Sequence, residues 1–143
     1  MPNNNPVVKV QLDDGAYMPE RYHDTDAGAD ILTPVGFTLA PHSEVTINTG
    51  VHIELPPNTK AEIVPKSGLN VKHSIVGWGL IDEGYSGAIA VKLYNLGKKT
   101  HYFNQRDKIA QLVISPVLYP TFEQVDEISA GERGSAGFGS TGA

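Results

Sequence analysis

Apolar and polar positions alternate in short runs along most of this chain, a period typical of half-buried β-strands. Proline and glycine interrupt the runs, and Pro56, Pro57 and Pro65 end two of them. The pattern predicts strands over residues 7–12, 44–55 (on either side of Gly50), 60–64, 74–81, 87–94, 109–114 and 117–119. Because such strands recur with turn signals between them, we predict an all-β sandwich or barrel.

Two segments need separate treatment. Residues 74–81 and 87–94 are apolar runs joined by Asp-Glu-Gly-Tyr-Ser at 82–86, the pattern of a β-hairpin. Residues 107–114 read either as a strand or as a helical turn that leads into one, and the sequence leaves both possibilities open.

The end of the chain has a different composition. Five of the 15 glycines lie between residues 130 and 143, together with serine and threonine. Glycine- and serine-rich segments behave as flexible linkers. We therefore predict a β-domain over residues 1–129 and a flexible C-terminal arm over residues 130–143.

Composition narrows the classes of function. The chain has 143 residues, which is enough for one domain with a proper core. It has no cysteine, which excludes a disulfide scaffold, an iron–sulfur cluster, a thiolate zinc site and a cysteine nucleophile. A net charge of −5 argues against a general nucleic-acid binder. No apolar run is long enough to cross a membrane, so we expect a soluble, cytoplasmic protein.

Single motifs are ambiguous when each is taken alone. Gly-Phe-Gly-Ser-Thr-Gly at 137–142 has the dinucleotide-binding spacing, but the chain ends before a helix could follow it. Pro-Lys-Ser-Gly-Leu at 65–69 suits an anion, or is an ordinary turn. Asp82 is either a turn cap or a carboxylate with a chemical role. Asp24, Asp26 and Asp30 fail the EF-hand frame, and His52, within an alternating strand, is expected on the surface.

The order of the motifs is more informative than any one of them. Ala-Gly-Ala-Asp-Ile occurs at 27–31, Pro-Lys-Ser-Gly-Leu at 65–69 and Gly-Leu-Ile-Asp-Glu-Gly-Tyr-Ser-Gly at 79–87. Arg-Asp-Lys-Ile-Ala-Gln-Leu follows at 106–112, and a glycine-rich motif that begins with Arg133 closes the chain. This succession resembles the five-motif signature of the trimeric deoxyuridine triphosphatases (dUTPases).

The resemblance implies a jelly-roll-like β-barrel that hydrolyses dUTP to dUMP and pyrophosphate. That reaction limits uracil incorporation into DNA and supplies dUMP for thymidylate synthesis. Water attacks the α-phosphorus, and Asp82 is expected to orient and deprotonate that water.

The resemblance also implies the substrate contacts. The backbone of residues 79–90, including Leu80, Ile81 and Ala90, is expected to bind the uracil edge, and Tyr85 to pack under the deoxyribose and exclude a 2′-hydroxyl. The residues expected around the phosphates and over the base are Lys66, Ser67, Gly68, Gln111, Arg133, Phe138, Gly139, Ser140 and Thr141, with Phe138 stacking on the uracil.

The cofactor and the assembly follow from the same resemblance. Mg²⁺ is expected on the substrate phosphates, with Asp30 as a contact through water, and three chains are expected to share each active site in a homotrimer. Two departures stand out: Lys66 occupies a position usually held by arginine, and residues 74–79 lack an asparagine that touches the base in many relatives. Trp78 either fills part of that gap or belongs to the core.

Two alternatives remain open. A dCTP deaminase-like enzyme would share the fold and the trimer, although the motifs at 79–87 and 133–142 favour a dUTPase. A non-catalytic jelly-roll interaction module would leave Asp82 and the glycine-rich arm without a role.

Overall fold

The computed structural model describes residues 5–137 and consists almost entirely of antiparallel β-structure. Its eleven strands are β1 (Lys9–Leu12), β2 (Ala29–Leu32), β3 (Phe37–Leu39), β4 (Glu44–Asn48), β5 (Val51–Glu54), β6 (Thr59–Val64), β7 (Ile75–Val76), β8 (Gly79–Ile81), β9 (Ala90–Asn95), β10 (His101–Phe103) and β11 (Lys108–Pro116). One short helix, α1 (Ser67–His73), follows β6. The all-β, jelly-roll-like prediction is confirmed.

The strands form four small sheets. The largest has the order β2-β11-β6-β8, and the second has the order β4-β9-β7. The other two are the pairs β1-β5 and β10-β3. In the largest sheet Gln111 of β11 pairs with Val64 of β6, and Ile81 of β8 pairs with Ala61 on the other side of β6. β6 is therefore held by strands on both sides.

Alternating side chains from these sheets close around one hydrophobic core. In β9 exposed and buried residues alternate along the whole strand, as the sequence period requires. The largest fully buried apolar side chains come from six strands and one loop: Ile31, Leu39, Val51, Ile75, Ile89, Val91, Leu93 and Ile109. Burial of these side chains holds in place the strands that flank the candidate site residues.

The hairpin predicted between residues 74–81 and 87–94 is correct for β7, which pairs antiparallel with β9, and wrong for β8. β8 pairs with β6, whereas β9 pairs with β4 and β7, so residues 82–89 cross from one sheet to another. The single strand predicted over residues 74–81 is likewise divided, because β7 and β8 belong to different sheets. A Cβ atom at Gly77, between them, would collide with the backbone carbonyl of Lys92.

Other segments differ from the predictions in detail. Residues 44–55 form two strands that separate at Gly50, which has φ of 68°. Residues 108–116 are strand throughout, so the helical alternative is wrong, and residues 117–119 are not a strand. The segment 65–69 begins helix α1 and is not a simple turn. β2, β3 and β10 were not predicted, since three or four residues give too little alternation to detect.

Regular structure ends at Pro116, and residues 118–137 are exposed throughout. This exposed stretch carries large apolar side chains, among them Leu118, Phe122 and Ile128, each more than four-fifths exposed. The domain boundary at residues 129 and 130 stays a prediction, because the change in burial begins earlier, directly after β11.

Candidate active site

Asp82 lies where β8 ends, at the start of the loop that crosses between sheets. Its carbonyl accepts a hydrogen bond of 3.0 Å from the Tyr85 amide, which turns the chain. The Tyr85 hydroxyl donates to the Ala88 carbonyl at 2.8 Å, and the amide of buried Ile89 then bonds to Val51. The loop 82–89 is thus fixed at both ends while the Asp82 carboxylate stays exposed.

A cavity of about 250 Å³ lies beside this loop, large enough for a pyrimidine ring. Its lining includes five of the nine residues of the third motif, Gly79, Leu80, Ile81, Asp82 and Tyr85, together with Ile63, Ile89 and Ala90. Ile63, Ile81 and Ile89 are buried, whereas Leu80 and Tyr85 are largely exposed at the surface of the cavity. An apolar cavity with one carboxylate and several backbone polar groups is typical of a small-molecule site.

A second group of residues braces the same turn from the opposite side. Glu83 Oε1 accepts hydrogen bonds from the Asn58 amide at 2.6 Å and from the Tyr119 hydroxyl at 3.0 Å. Burial raises the pKa of Tyr119, and the bond to Glu83 raises this pKa further. These contacts hold the first turn after Asp82, and no local sequence pattern relates Glu83 to Tyr119.

The predicted phosphate-binding residues form a separate cluster around a buried carboxylate. Asp30, 4% exposed, contacts the Lys66 ammonium at 2.5 Å through Oδ1 and the Lys108 ammonium at 3.3 Å through Oδ2. A buried carboxylate requires such partners, and removal of one partner is costly. Asp30 therefore fixes the direction of Lys66, and Lys108 is a member of the cluster that was not predicted.

Ser67, Gly68 and Gln111 lie around Lys66. Ser67 and Gly68 form the exposed first turn of α1, which Lys66 precedes. The Gln111 side chain donates to the Pro65 carbonyl at 3.5 Å. It also packs on Gly28, where a Cβ atom would lie 2.5 Å from Gln111 Oε1. The first, second and fourth motifs thus meet at one end of the largest sheet.

Within a single chain, the cluster around Asp30 and Lys66 does not lie next to Asp82. Asp82 follows Ile81, which pairs with Ala61, whereas Lys66 lies two residues beyond Val64 at the other end of β6. Six residues of extended chain correspond to about 20 Å. The predicted base and the predicted phosphate-binding lysine are therefore at opposite ends of one strand.

The fifth motif is described only in part. Arg133 is exposed, and its guanidinium donates to the Gly137 carbonyl. Phe138, Gly139, Ser140 and Thr141 lie outside the described residues. Trp78 is 69% exposed and does not belong to the core, although it lies between β7 and β8.

His52 is a contact to the crossing loop that sequence reasoning missed. His52 was expected on the surface but is half-buried. Its Nδ1 lies 2.8 Å from the Ser86 carbonyl oxygen, and its Nε2 lies 3.0 Å from Asp13 Oδ1. Both partners are acceptors, so only the doubly protonated imidazolium can donate to both. The Ser86 carbonyl, and then the Asp13 carboxylate, raise the pKa of His52 accordingly.

Two further observations bear on cofactors and location. No group of three or more His, Asp or Glu side chains within residues 5–137 could hold a metal ion. In the same part of the chain, the one helix is too short to cross a membrane.

Comparison with known proteins agrees with these motifs. The dUTPase family model matches residues 14–142. Deoxyuridine 5′-triphosphate nucleotidohydrolase of Clostridium acetobutylicum is 44% identical over 135 residues, which cover 92% of this chain and 93% of that protein. The solved dUTPase of Staphylococcus bacteriophage 80alpha with dUPNHPP superimposes with a TM-score of 0.91 at 30% identity, over 97% of this chain and 100% of that one.

A mutant dUTPase of the Staphylococcus aureus phage phi11, whose structure reveals the coordination of a structural Mg(II) ion, superimposes with a TM-score of 0.80. It is 30% identical, over 85% of this chain and 98% of that one. The match spans nearly the whole chain and includes the cavity of the third motif and the Asp30 cluster. This chain belongs to the dUTPase family.

Proposed function

We propose that this chain hydrolyses dUTP to dUMP and pyrophosphate with Asp82 as the general base. The observation that carries the assignment is the exposed Asp82 carboxylate at the edge of the cavity formed by the third motif. A water oxygen attacks the α-phosphorus and Asp82 accepts its proton, while the bond between the α-phosphorus and the bridging oxygen breaks and pyrophosphate leaves. Such base assistance contributes about 10²–10⁴-fold in rate.

Replacement of Asp82 by asparagine tests this role directly. Asp82→Asn is expected to bind dUPNHPP as the wild type does but to release pyrophosphate from dUTP about 10²–10⁴-fold more slowly. The side chain is exposed, so the fold is expected to survive. Near-wild-type turnover would refute the assignment.

The cavity beside Asp82 is the proposed uracil site. Leu80, Ile81 and Ala90 line it, and their backbone groups are proposed to pair with the uracil edge. The edge of cytosine has hydrogen-bond donors and acceptors in the reverse arrangement, so it would leave polar groups of the site unpaired. A site of this kind can discriminate against the wrong base by about 10⁴–10⁵-fold in kcat/KM. Tyr85, tied to Ala88 at 2.8 Å, is the proposed support of the deoxyribose.

The phosphates are proposed to lie against Lys66, Ser67, Gly68 and Gln111, with the arm completing the site through Arg133, Phe138, Gly139, Ser140 and Thr141. Mg²⁺, when bound on the triphosphate, supplies charge neutralisation. The donor set fits a metal held mainly by substrate, because residues 5–137 offer no cluster of ligands. Asp30 faces two ammonium groups, so a contact with Mg²⁺ through water requires Lys66 or Lys108 to turn toward the phosphates.

We propose a homotrimer in which neighbouring chains unite the two halves of the site. Two points support it. The pairing of β6 with β8 places Asp82 and Lys66 about 20 Å apart, and within residues 5–137 the segment 118–128 leaves large apolar side chains exposed. Exposed apolar surface of this kind is typical of a contact with a partner.

Mixed trimers provide the test of shared sites. Asp82→Asn and Lys66→Ala are each expected to be inactive alone, but every mixed trimer would contain one site with both wild-type residues. Refolding the two together at equal amounts should restore about a quarter of wild-type activity, since random mixing gives three-quarters mixed trimers with one intact site in three. No recovery in demonstrably mixed trimers would contradict the shared site.

Substrate choice separates the alternatives. Pyrophosphate release from dUTP, but not from dTTP, dCTP or UTP, is expected in the presence of Mg²⁺. Ammonia release from dCTP would support the deaminase alternative, which the family match does not favour. Because its substrate is a free nucleotide, we propose a cytoplasmic location.

A further inference from the structure

A cavity of about 560 Å³ lies away from the residues assigned above, between the end of α1 and the loop 96–100. Lys72, Lys98 and Lys99 line it together with His73 and His101, and no carboxylate is among its lining residues. In a chain with a net charge of −5, this is a concentrated group of cationic and titratable side chains.

The three lysines also differ from the other lysines of the chain. Lys9, Lys60, Lys66, Lys92 and Lys108 each lie within 4.0 Å of a carboxylate. Within residues 5–137 no such ion pair is formed by Lys72, Lys98 or Lys99, although all eight lysines belong to that part of the chain. The ammonium groups that lack a carboxylate partner are therefore those around this cavity.

The loop 96–100, which carries Lys98 and Lys99, is held in place by hydrogen bonds to a buried side chain. Asn95, fully buried, donates to the Lys99 carbonyl at 2.9 Å and to the Leu39 carbonyl at 3.0 Å, and its Oδ1 accepts from the Gly97 amide at 2.9 Å. A Cβ atom at Gly97 would lie 2.8 Å from the His73 carbonyl, so glycine permits close packing of the loop on α1. The cationic cavity is thus preorganised by buried hydrogen bonds.

The two histidines add donors to the same wall. Their rings meet edge to face with centroids 4.6 Å apart. Burial, and then the neighbouring His73, lower the pKa of His101, while Asp107 opposes the change. An anion in the cavity would favour protonation of the His101 ring, because it would supply the negative charge that the lining lacks.

We propose that this cavity binds a multiply charged phosphate anion of the pyrophosphate class at a site separate from catalysis. Three compact ammonium charges without carboxylate partners suit an anion with several negative charges, and the volume exceeds what a single phosphate group fills. Lys72 and His73 are in the last turn of α1 and Lys66 precedes its first turn, so the two sites are about 10 Å apart along the helix.

The test is a calorimetric titration of the full chain with pyrophosphate, at constant Mg²⁺, after the active site has been filled with dUPNHPP. One pyrophosphate per chain is expected to bind. Lys98→Ala/Lys99→Ala is expected to weaken this binding at least tenfold and leave kcat/KM for dUTP within twofold of wild type. The control, Lys9→Ala/Lys92→Ala, removes the same charge from lysines that are paired elsewhere and is expected to change binding less than twofold.

Nuclear magnetic resonance of the histidine rings locates the bound anion. His73 and His101 resonances should shift on titration in the wild type and remain unchanged in the Lys98/Lys99 variant. The proposal is overturned if pyrophosphate shows no saturable binding once dUPNHPP is bound. It is also overturned if both double variants weaken binding equally, since the effect would then be one of overall charge, or if dUTP turnover falls in step with pyrophosphate affinity.

Discussion

Gly87 lies directly against the ring of Tyr85, and this contact gives a sharp test of the proposed sugar support. A Cβ atom at Gly87 would lie 2.6 Å from Tyr85 Cζ and 2.9 Å from Cε1, and would also collide with the hydroxyl. Gly87 is not among the glycines with positive φ, so alanine can adopt its backbone conformation without strain. The effect of the substitution is therefore expected to come from the contact with the Tyr85 ring. Gly87→Ala should therefore displace Tyr85 and leave the loop path unchanged.

The expected displacement follows from these distances. Carbon atoms in optimal contact are about 3.5–4.0 Å apart, so the ring must move by about 1 Å. The Tyr85 bond to the Ala88 carbonyl would be lost, and because the ring is half exposed, water would replace much of it. A misplacement of about 1 Å at a positioning group can cost up to about 10²-fold in rate. We expect kcat/KM for dUTP to fall about 10- to 100-fold.

The informative quantity is the ratio of kcat/KM for dUTP to that for UTP, measured by pyrophosphate release. If Tyr85 excludes the 2′-hydroxyl, its displacement should lower this ratio, since UTP gains space while dUTP loses contact. Gly84→Ala is the matched control, because it lies in the same loop with no atom within 4 Å of the added methyl group. An unchanged ratio in Gly87→Ala, with Gly84→Ala equal to wild type, would refute the role of Tyr85.

Three further predictions concern the supports of the site. His52→Gln should lower the melting temperature most below pH 6.5, and the difference from wild type should shrink as the pH rises. The pKa of His52 is raised in the folded protein, so the charged hydrogen bond to Ser86 is lost as the pH rises above that pKa. A difference in melting temperature that stays constant with pH would contradict this bridge. Asn95→Ala should reduce the free energy of unfolding in urea by about 2–4 kcal/mol, since it leaves buried backbone groups without partners. A value near zero would mean that water replaces the amide. Truncation after Ala130 should abolish most dUTP turnover while the urea midpoint stays unchanged, and full turnover would remove the arm from the mechanism.

Local sequence was sufficient for most strands and for the positions of the motifs. β9 and β6 alternate clearly because each has one face on the core. Helix α1 was missed because it buries no residue, so no apolar stripe marks it, and because Gly68 in its first turn reads as a turn signal. The predicted hairpin is only partly correct for a different reason: β7 does pair with β9, but Gly77 separates β7 from β8, and β8 pairs with β6 in another sheet.

The same limit applies to the site. The motifs identify Asp82, Tyr85 and Lys66, but they do not identify the residues that hold these side chains in position. His52 meets Ser86 across 34 positions and Tyr119 meets Glu83 across 36, and no local period relates such residues. Lys108 was passed over within the fourth motif because its partner, Asp30, belongs to the first. Sequence motifs identify the groups that meet the substrate, whereas the contacts that orient those groups depend on the fold.

The position of β6 explains why a small chain would need partners to complete its site. β6 is hydrogen-bonded to β11 on one side and β8 on the other, and its inward residues Ala61 and Ile63 are buried. Bending this strand would break both ladders, so the distance of about 20 Å between its two functional ends is fixed. This distance supports the proposal that a nucleotide which requires both ends finds the second on another chain. If a neighbouring chain supplies the second end, the geometry of catalysis depends on how the subunits dock.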